Sequence, residues 1–234
     1  MIQVIDVHRA FGKQQVLRGV NLRVEDGEIL AIIGRSGSGK TVMLRLLIGL
    51  IRPDRGQVLI EDTDLTKLSG RQLDRVREQF GMLFQGGALF DSMTVFDNVA
   101  FPLREKTKRS EPEVAAQVQK MLESVGLGDM GYKFPAELSG GMKKRTALAR
   151  ALITNPSIIL FDEPTTGLDP ILVHAIHQLI QDTHRTFGYT AVLVSHEIPE
   201  VFDIATRVAV IHEGRIIAEG TPETILKSTD PFIQ

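Results

Sequence analysis

The sequence predicts an α/β fold: a mostly parallel sheet, an antiparallel β section at the N-terminal end, and an inserted helical lobe. Three observations predict it. An apolar stretch of strand length, Glu28–Ile33, runs through a glycine-rich loop into a helix-forming stretch, Val42–Leu50. Further apolar runs alternate with helical stretches, the pattern of parallel sheets covered on both faces. At Gln85 the composition shifts, and residues 86–154 read as helices. A chain of 234 residues can bury a core of this kind.

Composition narrows the function classes. A net charge of −2 argues against a general nucleic-acid binder, which needs a basic face. With no cysteine, disulfides, thiolate catalysis and cysteine-ligated zinc are excluded. The N-terminus MIQVIDVHRAFG has no basic region followed by an apolar one, so no signal peptide is expected. No apolar run approaches the ~18 residues of a membrane span. The expectation is a soluble intracellular protein whose membrane role, if any, comes through partners.

Taken in order, residues 2–30 alternate apolar and polar positions, with Ile2, Val4, Ile5 and Val7, then Val16, Leu17, Val20, Leu22 and Val24. These predict short antiparallel strands turning at Phe11-Gly12-Lys13 and Glu25-Asp26-Gly27. Phe11 is either core packing or a flat platform for an adenine base. Pro53–Gly56 is a turn before a strand at Gln57–Glu61. Ser69 and Gln72 have capping-box spacing for a helix to about Gln79, ahead of a strand at Phe80–Phe84. Thr94 with Asp97 starts a helix, and Lys106–Pro112 is a charged loop. Glu113–Ser124 is amphipathic and stops at Gly126. Leu138-Ser139-Gly140-Gly141-Met142 opens a helix to about Ile153. The core resumes with Ile158–Phe161, then a helix capped by Asp169-Pro170 and ending near Gly188. Thr190–Val194 is a strand ending at Ser195-His196. Val208–Ala218 is a hairpin turning at Glu213-Gly214, and a short helix starts at Thr221-Pro222.

Gly34-Arg35-Ser36-Gly37-Ser38-Gly39-Lys40-Thr41 fits G-x-x-x-x-G-K-[ST] between a strand and a helix, the context a phosphate-binding loop requires. Its glycines let N–H groups turn inward around a phosphate, and the helix N-terminus adds partial positive charge. Lys40 is placed for β- and γ-phosphates and Thr41 for Mg²⁺. Asp162 ends an apolar strand, where a carboxylate calls for a compensating charge such as Mg²⁺. Glu163 is the candidate to polarise an attacking water. Gln85 and His196 also follow strand ends, the rim where ligands of such sheets bind. Gln85 is a candidate Mg²⁺ ligand and His196 a candidate γ-phosphate contact. Ser139, Gly140 and Gly141 form a second anion-suited helix start, which suggests two copies arranged head to tail. His174, His177 and His184 read as a solvated helix face.

Together these residues resemble the ATP-binding cassette ATPases, over nearly the whole chain. GRSGSGKT is similar to Walker A, Gln85 to the Q-loop, LSGGM to the signature LSGGQ, Ile158–Glu163 to Walker B with its catalytic glutamate, Gly167-Leu168-Asp169 to the D-loop, and His196 to the switch histidine. The resemblance implies a P-loop ATPase core at 1–85 and 155–234 with a helical subdomain at 86–154. It implies ATP and Mg²⁺ as cofactors, with Thr41, Gln85 and Asp162 toward the metal and Lys40, Gln85, Glu163 and His196 in catalysis. Phe11 stands where the family usually has an adenine-stacking Tyr. Ser139, Gly140, Gly141, Met142, in place of the usual Gln, and Asp169 would contact the nucleotide held by a second copy.

Gln85–Leu103, and LSGGM followed by Lys143-Lys144-Arg145, further resemble the Mla-type phospholipid-transport cassettes. That resemblance implies a peripheral protein on the cytoplasmic face of the inner membrane. Its partners would be an integral membrane permease, an MCE-domain lipid-binding protein and a small accessory subunit, with no nucleic acid. In that group the chain usually extends beyond a segment like Asp230-Pro231-Phe232-Ile233-Gln234 with a tail that contacts the partner ATPase. An importer ATPase for another cargo, such as amino acids, and a non-transport cassette are the alternative readings.

Overall fold

The computed structural model describes residues 1–229, so the segment Asp230–Gln234 lies outside the described residues. The chain divides into two compact units, Met1–Phe80 together with the chain from Tyr189 onward, and Gly81–Gly188.

The first unit opens with β1 (Ile2–Phe11), β2 (Gln14–Val24), β3 (Ile29–Ile33), α1 (Lys40–Leu47), β4 (Arg55–Ile60), β5 (Thr63–Asp64) and α2 (Gly70–Arg77). It closes with β8 (Thr190–Ser195), β9 (Arg207–His212), β10 (Arg215–Gly220) and α7 (Pro222–Leu226). One sheet is antiparallel with order β2-β1-β4-β5. Its first two strands are long, not several short ones. Asp6 has φ +47° and the pairing shifts register between Val4 and Val7. The extra residue moves the buried set from Val4 to Val7 and leaves Ile5 on the outside.

In the other sheet of this unit, β3 runs parallel to β8 on one side and β9 on the other, and β10 turns back antiparallel to β9. The turn uses Glu213 at φ +44° and Gly214 at φ +76°, the two left-handed residues of a tight hairpin. Arg207 gathers this edge together. It bonds Glu28 at 2.8 Å and Glu219 at 2.6 Å, and those carboxylates hold its pKa above the usual guanidinium value.

Helix α1 starts earlier than its apolar run, at Lys40, because Gly39 at φ +105° turns the chain directly into the first helical turn. At its other end Arg77 donates to the carbonyls of Ile48 and Gly49 at 3.2 and 2.8 Å, satisfying acceptors the helix leaves open. The expected capping box at α2 does not form. The Ser69 side chain makes no cap bond; its carbonyl instead accepts from Gln72 N at 3.3 Å.

The second unit contains β6 (Phe80–Leu83) from its second residue on, α3 (Val95–Lys106), α4 (Glu111–Ser124), α5 (Gly140–Leu152), β7 (Ile158–Asp162) and α6 (Pro170–Phe187). Strands β6 and β7 are hydrogen-bonded neighbours. Helix α5 lies so close to β6 that a Cβ on Gly81 would sit 2.5 Å from the Ala151 carbonyl oxygen. The charged loop is shorter than Lys106–Pro112. Ser110 and Glu113 form a capping box that starts α4 at Glu111, with Pro112 in its first turn. His177 is buried at 3% exposure, which corrects the solvated-face reading of the α6 histidines. It falls on the apolar face beside Val173, Ile176 and Ile180, while His174 stays exposed.

Helix α3 begins as expected, with Thr94 Oγ1 accepting from Asp97 N at 3.1 Å and donating to Asp97 Oδ2 at 2.7 Å. The Thr94 hydroxyl and then Arg104 hold the Asp97 carboxyl below its ordinary value. A depressed carboxylate pKa adds stability above the unfolded value and loses it as pH falls through the folded one. Asp97→Asn should therefore lower the urea midpoint at pH 7. The deficit should close as pH drops from the ordinary 3.8 through the lower folded value. A deficit constant down to that range would refute the linkage.

Candidate active site

Two of the singled-out segments meet in the first unit. The parallel register pairs Ile33 with Ser195, so Gly34 and His196 leave the sheet side by side at the same edge. Both strands are fully buried, and that fixes the edge from which the loop and the histidine emerge. His196 is exposed there, and Ser195 Oγ accepts from Glu197 N at 3.0 Å to shape the turn that follows.

The loop after β3 has a built interior. Lys40 is 5% exposed, and its Nζ donates to the carbonyl oxygens of Gly34 at 2.8 Å and Arg35 at 3.1 Å. A buried ammonium on the inner face of the loop supplies positive charge where an anion would sit. Ser38 Oγ is buried and has no hydrogen-bond partner among the described residues. Leaving a buried hydroxyl unsatisfied is costly, and a phosphate oxygen is the acceptor that would satisfy it. Gly37 and Gly39 take φ +80° and +105°, conformations that turn main-chain N–H groups inward. Arg35, Ser36 and Gly37 form the exposed crest, and Thr41 lies in the first turn of α1. These features fit a polyphosphate.

Phe11 ends β1 rather than sitting in a turn, and it is 46% exposed. The core reading therefore fails. The Arg9 guanidinium lies 4.8 Å from the ring centroid and is itself tied to Asp54 at 2.6 Å, so a cation backs one face of the ring.

In the second unit, Asp162 ends β7 at 8% exposure, and Glu163 follows at φ +49°. A non-glycine residue in this region stores strain and marks a constrained position. Thr166 Oγ1 donates to Glu163 Oε2 at 3.2 Å, orienting the carboxylate. Gln85 follows β6. Its carbonyl accepts from the buried Lys144 ammonium, which also lies 3.5 Å from the Glu163 carbonyl. Thr166 and Lys144 are functional candidates missed by sequence reasoning. A Thr three residues beyond Glu163 was the only available signal for the first, and nothing local announced the second.

Ser139 caps α5, accepting from Met142 N at 3.3 Å, which leaves its hydroxyl hydrogen to donate outward. A Cβ on Gly140 would lie 3.1 Å from Leu168, and one on Gly141 3.2 Å from Leu172. The second glycine pair is thus packed against the loop and helix around Asp169. The Asp169 carboxylate caps α6 through Ile171 N at 3.0 Å and Leu172 N at 3.1 Å.

The family model described as ABC transporter matches residues 17–166, more than half of the chain. This chain belongs to the ABC transporter ATPases. A shorter match, to an AAA domain model, covers residues 134–203. The intermembrane phospholipid transport system ATP-binding protein MlaF of Haemophilus influenzae is 44% identical over 98% of this chain and 87% of its own length. The Escherichia coli K12 MlaF is 41% identical over 100% of this chain and 87% of its own. A Mycobacterium leprae relative, named "Probable ribonucleotide transport ATP-binding protein mkl", is 42% identical. The chain spans 67% of that relative, and 65% of its Mycobacterium bovis counterpart. Among solved structures, the ABC transporter subunit cbiO1 of Clostridium perfringens superposes with a TM-score of 0.90 at 29% identity, over 98% of this chain and 91% of that one. The dimeric ATP-binding cassette MJ0796, in a post-hydrolysis state with ADP and Pi, gives 0.86 at 32%, over 95% and 99%. The ABC ATPase fold expected from the sequence is the one observed.

Within the phosphate-binding loop, Gly34 tolerates no side chain. A Cβ there would stand 2.3 Å from the Ile211 carbonyl oxygen, a backbone atom held within β9. Gly34→Ala should cost at least about 2 kcal/mol of stability and depress ATP binding with it. A denaturation midpoint equal to the parent would show that the loop relaxes without loss.

Proposed function

We propose that this chain is the ATP-hydrolysing subunit of a phospholipid transporter of the bacterial envelope, peripheral to the cytoplasmic face of the inner membrane. The loop interior carries the ATPase half of this reading: the buried Lys40 ammonium and the unsatisfied Ser38 hydroxyl form an anion cradle beside His196. The two MlaF relatives support the cargo, being matched over 87% of their length at 41–44% identity. No helix among the described residues is long and apolar enough to cross a membrane, so a permease would supply the path.

In this reading residues 1–85 and 155–234 form the nucleotide-binding core and 86–154 the helical, signature-bearing part. Phe11 offers the open face of its ring to adenine, with Arg9 behind it. Residues Gly34–Thr41 wrap the phosphates, and Lys40 exchanges carbonyl acceptors for β- and γ-phosphate oxygens. The residues assigned to the metal, Thr41, Gln85 and Asp162, each offer an oxygen donor, the chemistry Mg²⁺ prefers. When bound, the ion would neutralise charge on the β- and γ-phosphates. Glu163, steadied by Thr166, orients the attacking water and takes its proton. His196 contacts the γ-phosphate from the neighbouring strand end.

Ser139, Gly140, Gly141, Met142 and Asp169 would meet the nucleotide held by a second copy. A dimeric cassette captured with ADP and Pi supports such a sandwich. ATP would close the pair and hydrolysis reopen it, driving the permease and an MCE-domain protein, with a small accessory subunit in the same assembly.

Glu163→Gln should keep ATP affinity and trap a closed dimer while turnover falls by ~100-fold or more. Size-exclusion chromatography with ATP and a phosphate-release assay check both halves; parental turnover would remove Glu163 from the role of base. For the cargo, the tagged protein should bring a polytopic permease, an MCE-domain protein and phospholipid out of its native membranes. Recovery of a permease with a soluble binder of amino acids, or with bound ribonucleotide, would overturn the lipid assignment and leave the ATPase standing.

A further inference from the structure

Lys144 lies in the second turn of α5 at 7% exposure, facing the interior of its unit with Ala147 and Leu148. Burying an ammonium is expensive unless acceptors meet it. The two main-chain acceptors here belong to residues that leave adjacent strands. Lys144 Nζ donates to the Gln85 carbonyl just past β6, and the Glu163 carbonyl just past β7 lies 3.5 Å away.

This placement matters because of the backbone of Glu163. At φ +49° it occupies a left-handed conformation that a residue with a long side chain adopts only when its surroundings impose it. Thr166 holds the carboxylate end of Glu163, and Lys144 meets the main-chain end. The residue is gripped at both extremities. Gln85 shares one of those grips. Farther along the same segment, Arg150 donates to the carbonyls of Gly87 and Ala88, each at 2.8 Å. Helix α5 thus holds the Gln85–Ala88 backbone by two cationic side chains, only one of which also reaches Glu163.

We propose that Lys144 is a positioning residue for hydrolysis, its ammonium locking the main chain of Glu163 to that of Gln85 so that both side chains are presented in register. The proposal rests on the reading of Glu163 as the base. Lys144 itself need not touch nucleotide; it acts through the two residues it joins. A displacement of the Gln85 segment would then be passed to the base by a single charged contact.

The test uses the full chain purified from native membranes and compares Lys144→Met, Lys144→Arg and Glu163→Gln. Read-outs are kcat, the Kd for a fluorescent ATP analogue, and the thermal midpoint. Lys144→Met is expected to lower kcat by about tenfold with Kd changed less than about threefold, and Lys144→Arg, which keeps a buried cation, should recover most of it. If the Met variant does not fold, Lys144→Gln, retaining a neutral donor, is held to the same criterion. Parental kcat in the Met or Gln variant, or kcat falling and Kd rising together with no recovery by Arg, would overturn the proposal and leave Lys144 a structural pin. Glu163→Gln separates the two levels. If it abolishes turnover while Lys144→Met keeps the parental kcat, only the positioning role falls. If it turns over ATP at the parental rate, the base assignment falls and takes this inference with it.

Discussion

The parallel pairing of β3 with β8 and β9 is the constraint on which the nucleotide-binding face of the first unit depends. The paired segments are apolar and buried at their centres, Leu30–Ile33, Val192–Val194 and Val208–Val210, so the register there is set by backbone bonding and burial together. Once Ile33 is opposite Ser195, Gly34 and His196 have no choice of edge. The loop then inherits its floor from the neighbouring strand, because Ile211 of β9 puts its carbonyl where a side chain at position 34 would be. Chemistry at the rim follows from packing in the sheet.

The second unit places its groups by a different means. Here the candidates follow strand ends, but side chains from α5 and the segment after β7 orient them: Lys144 and Arg150 on carbonyls, Thr166 on the Glu163 carboxylate. Arg150 is buried enough that desolvation lowers its pKa, and its bonds to Gly87 and Ala88 offset part of that cost. Cations in such settings are expensive to keep and damaging to remove.

Much of this was legible before any coordinates, for a physical reason. The loop Gly34–Thr41, the Asp162-Glu163 pair, the Thr94 and Asp169 caps and the Glu213-Gly214 turn are all local: a few consecutive residues dictate their own geometry. What escaped was decided at a distance. Nothing around Asp6 announces a bulge that arises from pairing with two other strands. Ser69 offered the right spacing for a cap and was not used as one. His177 looked like part of a polar face, yet shares the burial of Ile176 and Ile180. Lys144 read as one of three basic residues in a row, and only folding shows that it points inward while its neighbours remain partly exposed.

The contact between the start of α5 and the loop before α6 has a consequence for variation. A Cβ on Gly140 or Gly141 would press on the methyl groups of Leu168 or Leu172 at 3.1 and 3.2 Å, so that the leucine must give by a few tenths of an ångström. The two pairs, 140 with 168 and 141 with 172, are therefore matched in size. An alanine introduced at 140 is eased by a smaller partner at 168, and one at 141 by a smaller partner at 172. Homologues that differ at one of these places should differ at its counterpart as well, so the pair can be sought as a compensating exchange in any deep collection of cassette sequences.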